Sequence, residues 1–138
     1  MSDKVIVALF NSNSEVLELL REALQASGYA AVIAHVSEVK SGRLDMIKFV
    51  EEHQPEVIVY DIAPPYDTNW TFLRLMMSSE VMRGRAFVVT TTNKRVLEGI
   101  IGPNDTLELV GKPFDLEQIT GAVTRALESQ RKTAASSK

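Results

Sequence analysis

The chain has 138 residues, 45% of them hydrophobic and 24% charged, a balance typical of one globular domain. It contains no cysteine, which excludes disulfides, thiol catalysis and thiolate metal sites. A formal net charge of −3 gives no basic field for nucleic acid. No apolar run approaches the ~20 residues that a membrane span needs, and the first residues do not resemble a signal peptide. We therefore expect a cytoplasmic protein that binds neither nucleic acid nor membrane.

The first half of the chain alternates short apolar runs with helical patterns. Val5 to Phe10 predicts a strand that is buried on both faces, as in a parallel sheet. In the helical pattern that follows, Ser12 with Glu15 fits a capping box, and Gly28 fits the end of the helix. Ala31 to Ala34 predicts a second strand. The next helix is marked by Met46, Ile47 and Val50.

The second half repeats the alternation. The predicted strands are Val57 to Tyr60, Ala86 to Thr90 and Leu107 to Val110. A helical pattern follows each strand, and Asp115 with Gln118 predicts the cap of the last helix. Five strands alternating with five helices predict an α/β fold with a parallel sheet covered on both faces. We expect one domain over residues 1–128 and a disordered C-terminal tail over residues 129–138.

Polar side chains follow four of the predicted strands at their carboxyl ends, where open parallel sheets bind ligands. These residues are Asn11 and Ser12, Asp61, Thr91, and Lys112. Alone, each has an ordinary explanation as a turn cap, a strand threonine or a solvated lysine. Together, a carboxylate, a hydroxyl and an ammonium suit a phosphoryl group. Asp61 would be the nucleophile that forms an acyl phosphate, and the other two would bind its oxygens.

Three segments resemble the receiver domains of response regulators. They are Pro55 to Pro65, which contains the strand that ends in Asp61, the step Gly111-Lys112-Pro113-Phe114, and Leu20 to Tyr29. The resemblance covers about residues 4 to 128. It implies a CheY-like, flavodoxin-like (βα)5 fold, which is a doubly wound five-stranded parallel sheet with the strand order 2-1-3-4-5.

The resemblance also implies roles for individual residues. Asp61 would be the phosphoacceptor, Thr91 the switch hydroxyl and Lys112 the lysine that contacts the phosphate. The carbonyl of Ala63 would be the backbone ligand of Mg²⁺. The family's usual partner surface would here include Lys94, Arg95, Glu98, Leu107 and Leu109. The expected partner is a histidine kinase, a phosphotransfer protein or another signalling protein, a homodimer is one candidate assembly, and no enzymatic activity is expected.

Three departures from the family pattern alter these expectations. Receivers carry two acids after the first strand, where this chain has Asn11 and Ser12, so we expect Mg²⁺ to bind weakly or not at all. With fewer anions nearby, Asp61 should pair directly with Lys112. Leu109 replaces the usual aromatic residue of the signal route. The extra length before Asp61 predicts an enlarged loop around Val36 to Arg43.

Three functions therefore remain open. The first is a single-domain response regulator with impaired Mg²⁺-dependent phosphorylation and with output through protein–protein contacts. The second is a pseudo-receiver, an interaction module that has the fold without phosphorylation. The third, a remote alternative, is a small flavodoxin-like protein that binds FMN at the Asn11 to Ser14 loop. That loop contains no glycine, and no aromatic-rich loops are evident that would hold a flavin.

Overall fold

The computed structural model describes residues 4–103, 107–112 and 115–136. Within these residues five parallel strands form one sheet in the order β2-β1-β3-β4-β5. The strands are β1 (Ile6–Asn11), β2 (Ala30–His35), β3 (Val57–Ile62), β4 (Ala86–Thr91) and β5 (Leu107–Gly111). The helices are α1 (Ser14–Ala26), α2 (Val36–Lys40), α3 (Met46–His53), α4 (Tyr66–Met77), α5 (Lys94–Ile101) and α6 (Leu116–Ser136), with a 3₁₀ turn at Glu80–Met82.

The sheet is covered on both faces, and its strands β3 and β4 are buried along their whole length. All six residues of β3 are buried, because β3 lies between β1 and β4 and is covered by helices on each side. The doubly wound five-stranded sheet and the strand order predicted from the sequence are confirmed.

Two apolar clusters hold the helices against the sheet. On one face, Leu17 of α1 and Ile119 of α6 pack with Val59 of β3. On the other face, Leu73 of α4 and Leu97 of α5 pack in the cluster that contains Tyr60 of β3. Alternate residues of β3 therefore face opposite clusters, as the twofold repeat of a strand requires.

The segment predicted as an enlarged loop contains a helix instead. Residues 36–40 form α2, and the chain then turns at Ser41 and Gly42. Val36 and Val39 are three residues apart, and both are only 7% exposed, so one face of this short helix is buried in the core. The prediction was wrong because it treated the additional residues as a surface insertion.

The start of α1 also differs from the prediction. The cap is the Asn13 side chain, whose Oδ1 accepts hydrogen bonds from the backbone N–H groups of Glu15 and Val16. Ser12 is exposed and lies one residue before this cap. An asparagine side chain is as good an N-cap as serine, and the sequence offers both within three residues.

The last helix begins as predicted but ends later. The Asp115 side chain accepts a hydrogen bond from Gln118 N–H, and the Gln118 side chain accepts one from Asp115 N–H, each at 2.8 Å. The helix then continues to Ser136, through most of the segment predicted to be disordered. An ion pair of 3.0 Å between Arg131 and Glu56 ties this part of α6 to the residue before β3. Residues 137–138 of the predicted tail lie outside the described residues.

None of the helices in the described ranges is both long enough and apolar enough to cross a bilayer.

Candidate functional site

The site lies at the carboxyl edge of the sheet, around Asp61 in β3. In the strand register, Asp61 lies opposite Thr90 of β4, and Thr91 lies opposite Gly111 of β5. Asp61 is only 7% exposed, because it belongs to the buried central strand. A carboxylate in such a position must find hydrogen-bonding or charged partners, since burying it unpaired is costly.

Asp61 has two such partners, and both contact the same oxygen atom. The hydroxyl of Thr90 donates a hydrogen bond of 2.6 Å to Oδ1. The ammonium of Lys112 lies 2.8 Å from Oδ1. The direct pairing of Asp61 with Lys112 that the sequence predicts is therefore present. Charge-assisted contacts of this kind are among the strongest hydrogen bonds in proteins.

The backbone fixes Lys112 beside this carboxylate. Lys112 follows the last residue of β5, and its N–H donates a hydrogen bond of 2.7 Å to the carbonyl of Thr91. The side chain is 29% exposed, so the ammonium reaches the site from the solvent-facing rim. Pro113 and Phe114, which complete the motif in the sequence, lie outside the described residues.

The threonine that contacts Asp61 is Thr90, and not Thr91 as predicted. The prediction ended β4 at Thr90 and took the next residue as the one at the edge, whereas β4 extends to Thr91. Because side chains alternate along a strand, Thr90 shares a face with Asp61 and Thr91 points to the other face. The Thr91 hydroxyl is buried and accepts a hydrogen bond of 3.4 Å from Asn93 N–H.

The two residues at the positions expected to be acidic in a receiver, Asn11 and Ser12, differ in burial and in hydrogen bonding. Asn11 is 4% exposed, and its Oδ1 accepts a hydrogen bond of 3.0 Å from Asn13 N–H, so it shapes the turn before α1. Ser12 is exposed and lies near Asp61, since both residues line the same cavity.

The carbonyl of Ala63 has a partner that the sequence did not suggest. It accepts a hydrogen bond of 2.6 Å from the amide of Asn69, a residue of α4 that is only 6% exposed. No sequence motif marks Asn69, because a polar residue in a helical pattern is usually assigned to the solvent face.

A cavity of about 210 Å³ opens beside Asp61. Residues at the carboxyl end of β3 form one part of its lining, and residues of α2 form another. Its lining residues are Ser12, Val36, Ser37, Lys40, Tyr60, Asp61, Ala63 and Asn69. The contribution of Val36, Ser37 and Lys40 was not predicted from the sequence, because their segment was expected to be a loop.

Tyr60 lies beside Asp61 in this lining and remains protonated. Burial, and secondarily the charge of Asp61, raise the pKa of Tyr60 to about 12. Its neutral ring packs against Phe10, with a distance of 5.6 Å between the ring centroids.

A second hydroxyl pair lies at the rim of the site. The Tyr66 hydroxyl, at the start of α4, and the Thr92 hydroxyl, just after β4, are 2.7 Å apart and share a hydrogen bond. This contact joins the loops that follow β3 and β4. Neither Tyr66 nor Thr92 was predicted from the sequence to belong to the site.

The polar groups at the site do not have the composition that a divalent cation prefers. No group of three or more His, Cys, Asp or Glu side chains that could hold a metal ion occurs in the described ranges. Asp61 is the one acid among the described residues that line the cavity, and the Ala63 carbonyl already accepts a hydrogen bond from Asn69. Mg²⁺ depends on carboxylate charge and dehydrates reluctantly.

The residues predicted for a partner surface fall into two groups. Lys94, Arg95 and Glu98 are exposed on α5, whereas Leu107 and Leu109 of β5 are half-buried. A shallow cavity of about 320 Å³ is lined by Glu98 and the two leucines, with Ile101, Gly102 and Pro103, but not by Lys94 or Arg95.

Comparison with known proteins gives one curated relative and many structural neighbours. No family model matches the sequence. The chain is 26% identical over 133 residues to the transcriptional regulatory protein RprY of Bacteroides fragilis (strain YCH46). The match covers 95% of this chain and 52% of RprY, so the chain spans about half the length of that relative.

The structural neighbours identify the fold. A sensor protein from Polaromonas sp. JS666 matches with a TM-score of 0.72 and 18% identity, covering 93% of this chain and 99% of that one. A response regulator receiver protein from Sinorhizobium medicae WSM419 matches with a TM-score of 0.70 and 20% sequence identity, and the match covers 93% of this chain and 98% of that protein. The chemotaxis protein CheY4 of Vibrio cholerae matches with a TM-score of 0.68 and 18% sequence identity, and the match covers 90% of this chain and 99% of CheY4. The chain has the CheY-like receiver fold, and the resemblance predicted from the sequence is confirmed at that level.

Proposed function

We propose that the chain acts as a receiver domain in two-component or phosphorelay signalling, with Asp61 as its phosphoacceptor. The observation that carries the proposal is the pairing of Asp61 Oδ1 with both Thr90 and Lys112 at the end of the central strand. A carboxylate, a hydroxyl and an ammonium at one point are the groups that a transferred phosphoryl group requires. Thr90 takes the role that the sequence analysis gave to Thr91.

In the proposed step, a carboxylate oxygen of Asp61 attacks the phosphorus of a phosphohistidine donor. The new O–P bond forms as the N–P bond breaks, and the imidazole leaves with the electron pair and takes up a proton. Lys112 then exchanges its contact with the carboxylate for contacts with the phosphoryl oxygens, and the Thr90 hydroxyl donates to the same group. The donor is a histidine kinase or a phosphotransfer protein.

We also propose that the dependence of this transfer on Mg²⁺ is weak or absent. Asn11 and Ser12 bring no negative charge to the positions where receivers carry acids, and Asn11 Oδ1 is already used in the turn before α1. The Ala63 carbonyl is likewise engaged by Asn69.

The same observations favour a second candidate, a pseudo-receiver that signals through protein contacts without phosphorylation. In that case the ion pair between Asp61 and Lys112 would be a permanent structural contact. The exposed α5 residues Lys94, Arg95 and Glu98, with Leu107 and Leu109 of β5, are the proposed contact surface in both cases. In both cases we propose a cytoplasmic location.

An FMN site is less well supported. The flavin phosphate would need backbone N–H groups at the start of α1, but Asn13 Oδ1 already accepts those of Glu15 and Val16.

Incubation with acetyl phosphate, followed by intact mass measurement, tests the proposal. One arm contains Mg²⁺ and the other contains EDTA, and Asp61→Asn serves as the control. We expect one phosphate adduct, absent in Asp61→Asn, with a yield that changes less than tenfold between the arms. No adduct in either arm, from this donor or from phosphohistidine, would favour the pseudo-receiver.

A further inference from the structure

Helix α2 places a lysine at the cavity beside Asp61. Lys40 is the last residue of α2 and lines this cavity with Ser12, Ser37 and Asp61. The helix is fixed by its buried residues Val36 and Val39, so the backbone of Lys40 is held by the core while its side chain is exposed.

The ammonium of Lys40 has no acidic partner within the described ranges. Glu38, the acid of the same helix, points to a different residue, because its Oε1 lies 3.8 Å from Nδ1 of His35. Asp61, the acid of the cavity, is paired with Lys112 at 2.8 Å. The ionic groups that line the cavity, among the described residues, are therefore Lys40 and Asp61, because the phenol of Tyr60 is neutral. Lys112 does not line the cavity but already balances the charge of Asp61.

The remaining polar groups suit an anion better than a cation. Ser12 and Ser37 add hydroxyls that can donate hydrogen bonds, whereas the Ala63 carbonyl already accepts one from Asn69. A divalent cation placed here would meet one carboxylate, which is already paired with Lys112, and the positive charge of Lys40.

We propose that Lys40 supplies the positive charge that Mg²⁺ provides in typical receivers, so that the cavity beside Asp61 binds a phosphate-like oxyanion without a metal ion. This inference deepens the proposed function, because it concerns the same site and explains how a phosphodonor could be held there. It also gives α2 a role beyond packing, since the helix carries the second cation of the site.

The test is a titration with inorganic phosphate in EDTA, followed by the emission of Trp70, the one tryptophan of the chain. Trp70 is next to Asn69, which lines the cavity. We expect Lys40→Gln to weaken phosphate binding at least tenfold and Lys40→Arg to retain it. Lys48→Gln is the matched control, because Lys48 is an exposed lysine of α3 that does not line the cavity. Circular dichroism establishes that each variant is folded, and ³¹P line broadening provides a second measure of binding.

The results separate this inference from the proposed function. Phosphate binding that depends on Lys40 supports the inference even if Asp61 never forms an adduct with acetyl phosphate. Binding that is absent in EDTA, or that is equally strong in Lys40→Gln and Lys48→Gln, overturns it even if Asp61 is phosphorylated. An adduct that forms only with Mg²⁺ would count against it in the same way.

Discussion

At the scale of single residues, the site depends on how one buried carboxylate is neutralised. Asp61 would be costly to bury alone, and the structure gives it a hydroxyl from β4 and an ammonium from the residue after β5. Because Thr90 belongs to β4 and Lys112 follows β5, the two contacts also join the carboxyl ends of β3, β4 and β5. Removing one partner leaves a buried charge less well satisfied, which costs more than an average hydrogen bond is worth.

Thr90→Val tests which threonine serves Asp61. The change keeps the shape of the side chain and removes the hydroxyl that donates to Oδ1 at 2.6 Å, so we expect a loss of about 2 kcal/mol in the free energy of unfolding. Thr91→Val is the matched control, because Thr91 is equally buried but makes only a contact of 3.4 Å, and it should cost less than about 1 kcal/mol. Urea denaturation measures both values. Equal losses, or a larger loss for Thr91→Val, would refute the assignment of Thr90.

Three consecutive threonines explain why the sequence alone did not identify this residue. Each has the same propensity for a strand, and a one-residue error in the end of β4 exchanges the two faces. Asp61 and Lys112 were identified correctly as neighbours because each is the one charged residue at its strand end. Asn69 and Lys40 come from helices whose position against the site is set by packing, which residue spacing does not contain.

Tyr60 provides a pH-dependent prediction. The pKa of Tyr60 is about 12 in the folded protein, compared with 10.0 for a tyrosine in the unfolded chain, so the folded state favours the protonated phenol. The associated stability is fully present below pH 10 and is lost as the pH rises toward 12. Since one pKa unit corresponds to about 1.4 kcal/mol, the loss should be about 3 kcal/mol.

Urea denaturation of the wild type and of Tyr60→Phe at several pH values between 9 and 12 measures this difference. Tyr60→Phe should lose about 3 kcal/mol less stability than the wild type over this range, whereas Tyr66→Phe, at the rim of the site, should lose nearly as much as the wild type. Parallel curves for the wild type and Tyr60→Phe would show that the folded state does not favour the protonated phenol.

At the scale of elements, α2 illustrates how packing creates structure that a pattern of five residues cannot specify. A helix of this length is unstable alone, because the cost of nucleation exceeds what one turn recovers. It forms here because Val36 and Val39 complete the apolar cluster over β1 and β3. The sequence predicted the other five helices because each carries a longer apolar stripe, and it missed the end of α6 because the polar composition of residues 129–136 resembles a tail.

Val39→Ala should therefore destabilise the protein and loosen α2. Two buried methyl groups are lost, at about 0.8 kcal/mol each, so we expect a loss of about 1–2 kcal/mol. Amide exchange at Ser41, whose N–H donates to the Ser37 carbonyl at 3.0 Å, should become faster. Ser37→Ala changes an exposed residue of the same helix and should leave both quantities nearly unchanged. Unaltered exchange at Ser41 in Val39→Ala would show that core packing does not hold α2.

At the scale of the whole molecule, the order of the elements determines what the site contains. The sheet brings the carboxyl ends of β1, β3, β4 and β5 to one edge, so residues far apart in the sequence meet there. The alternation of apolar runs and helical patterns was sufficient to predict this architecture. The sequence also predicted weak Mg²⁺ binding from Asn11 and Ser12, but it could not place Lys40 at the cavity, because Lys40 lies on an unpredicted helix.

Phosphorylation of Asp61 is the property on which the proposed function depends. The most direct measurement is reduction with borohydride after incubation with acetyl phosphate, followed by peptide mass mapping, because reduction converts an aspartyl phosphate to homoserine. We predict homoserine at position 61 in the peptide that contains Val57–Ile62, and an unmodified peptide in the sample without donor. Unmodified Asp61 after incubation with the donor, or homoserine at a different aspartate, would show that Asp61 is not the phosphoacceptor.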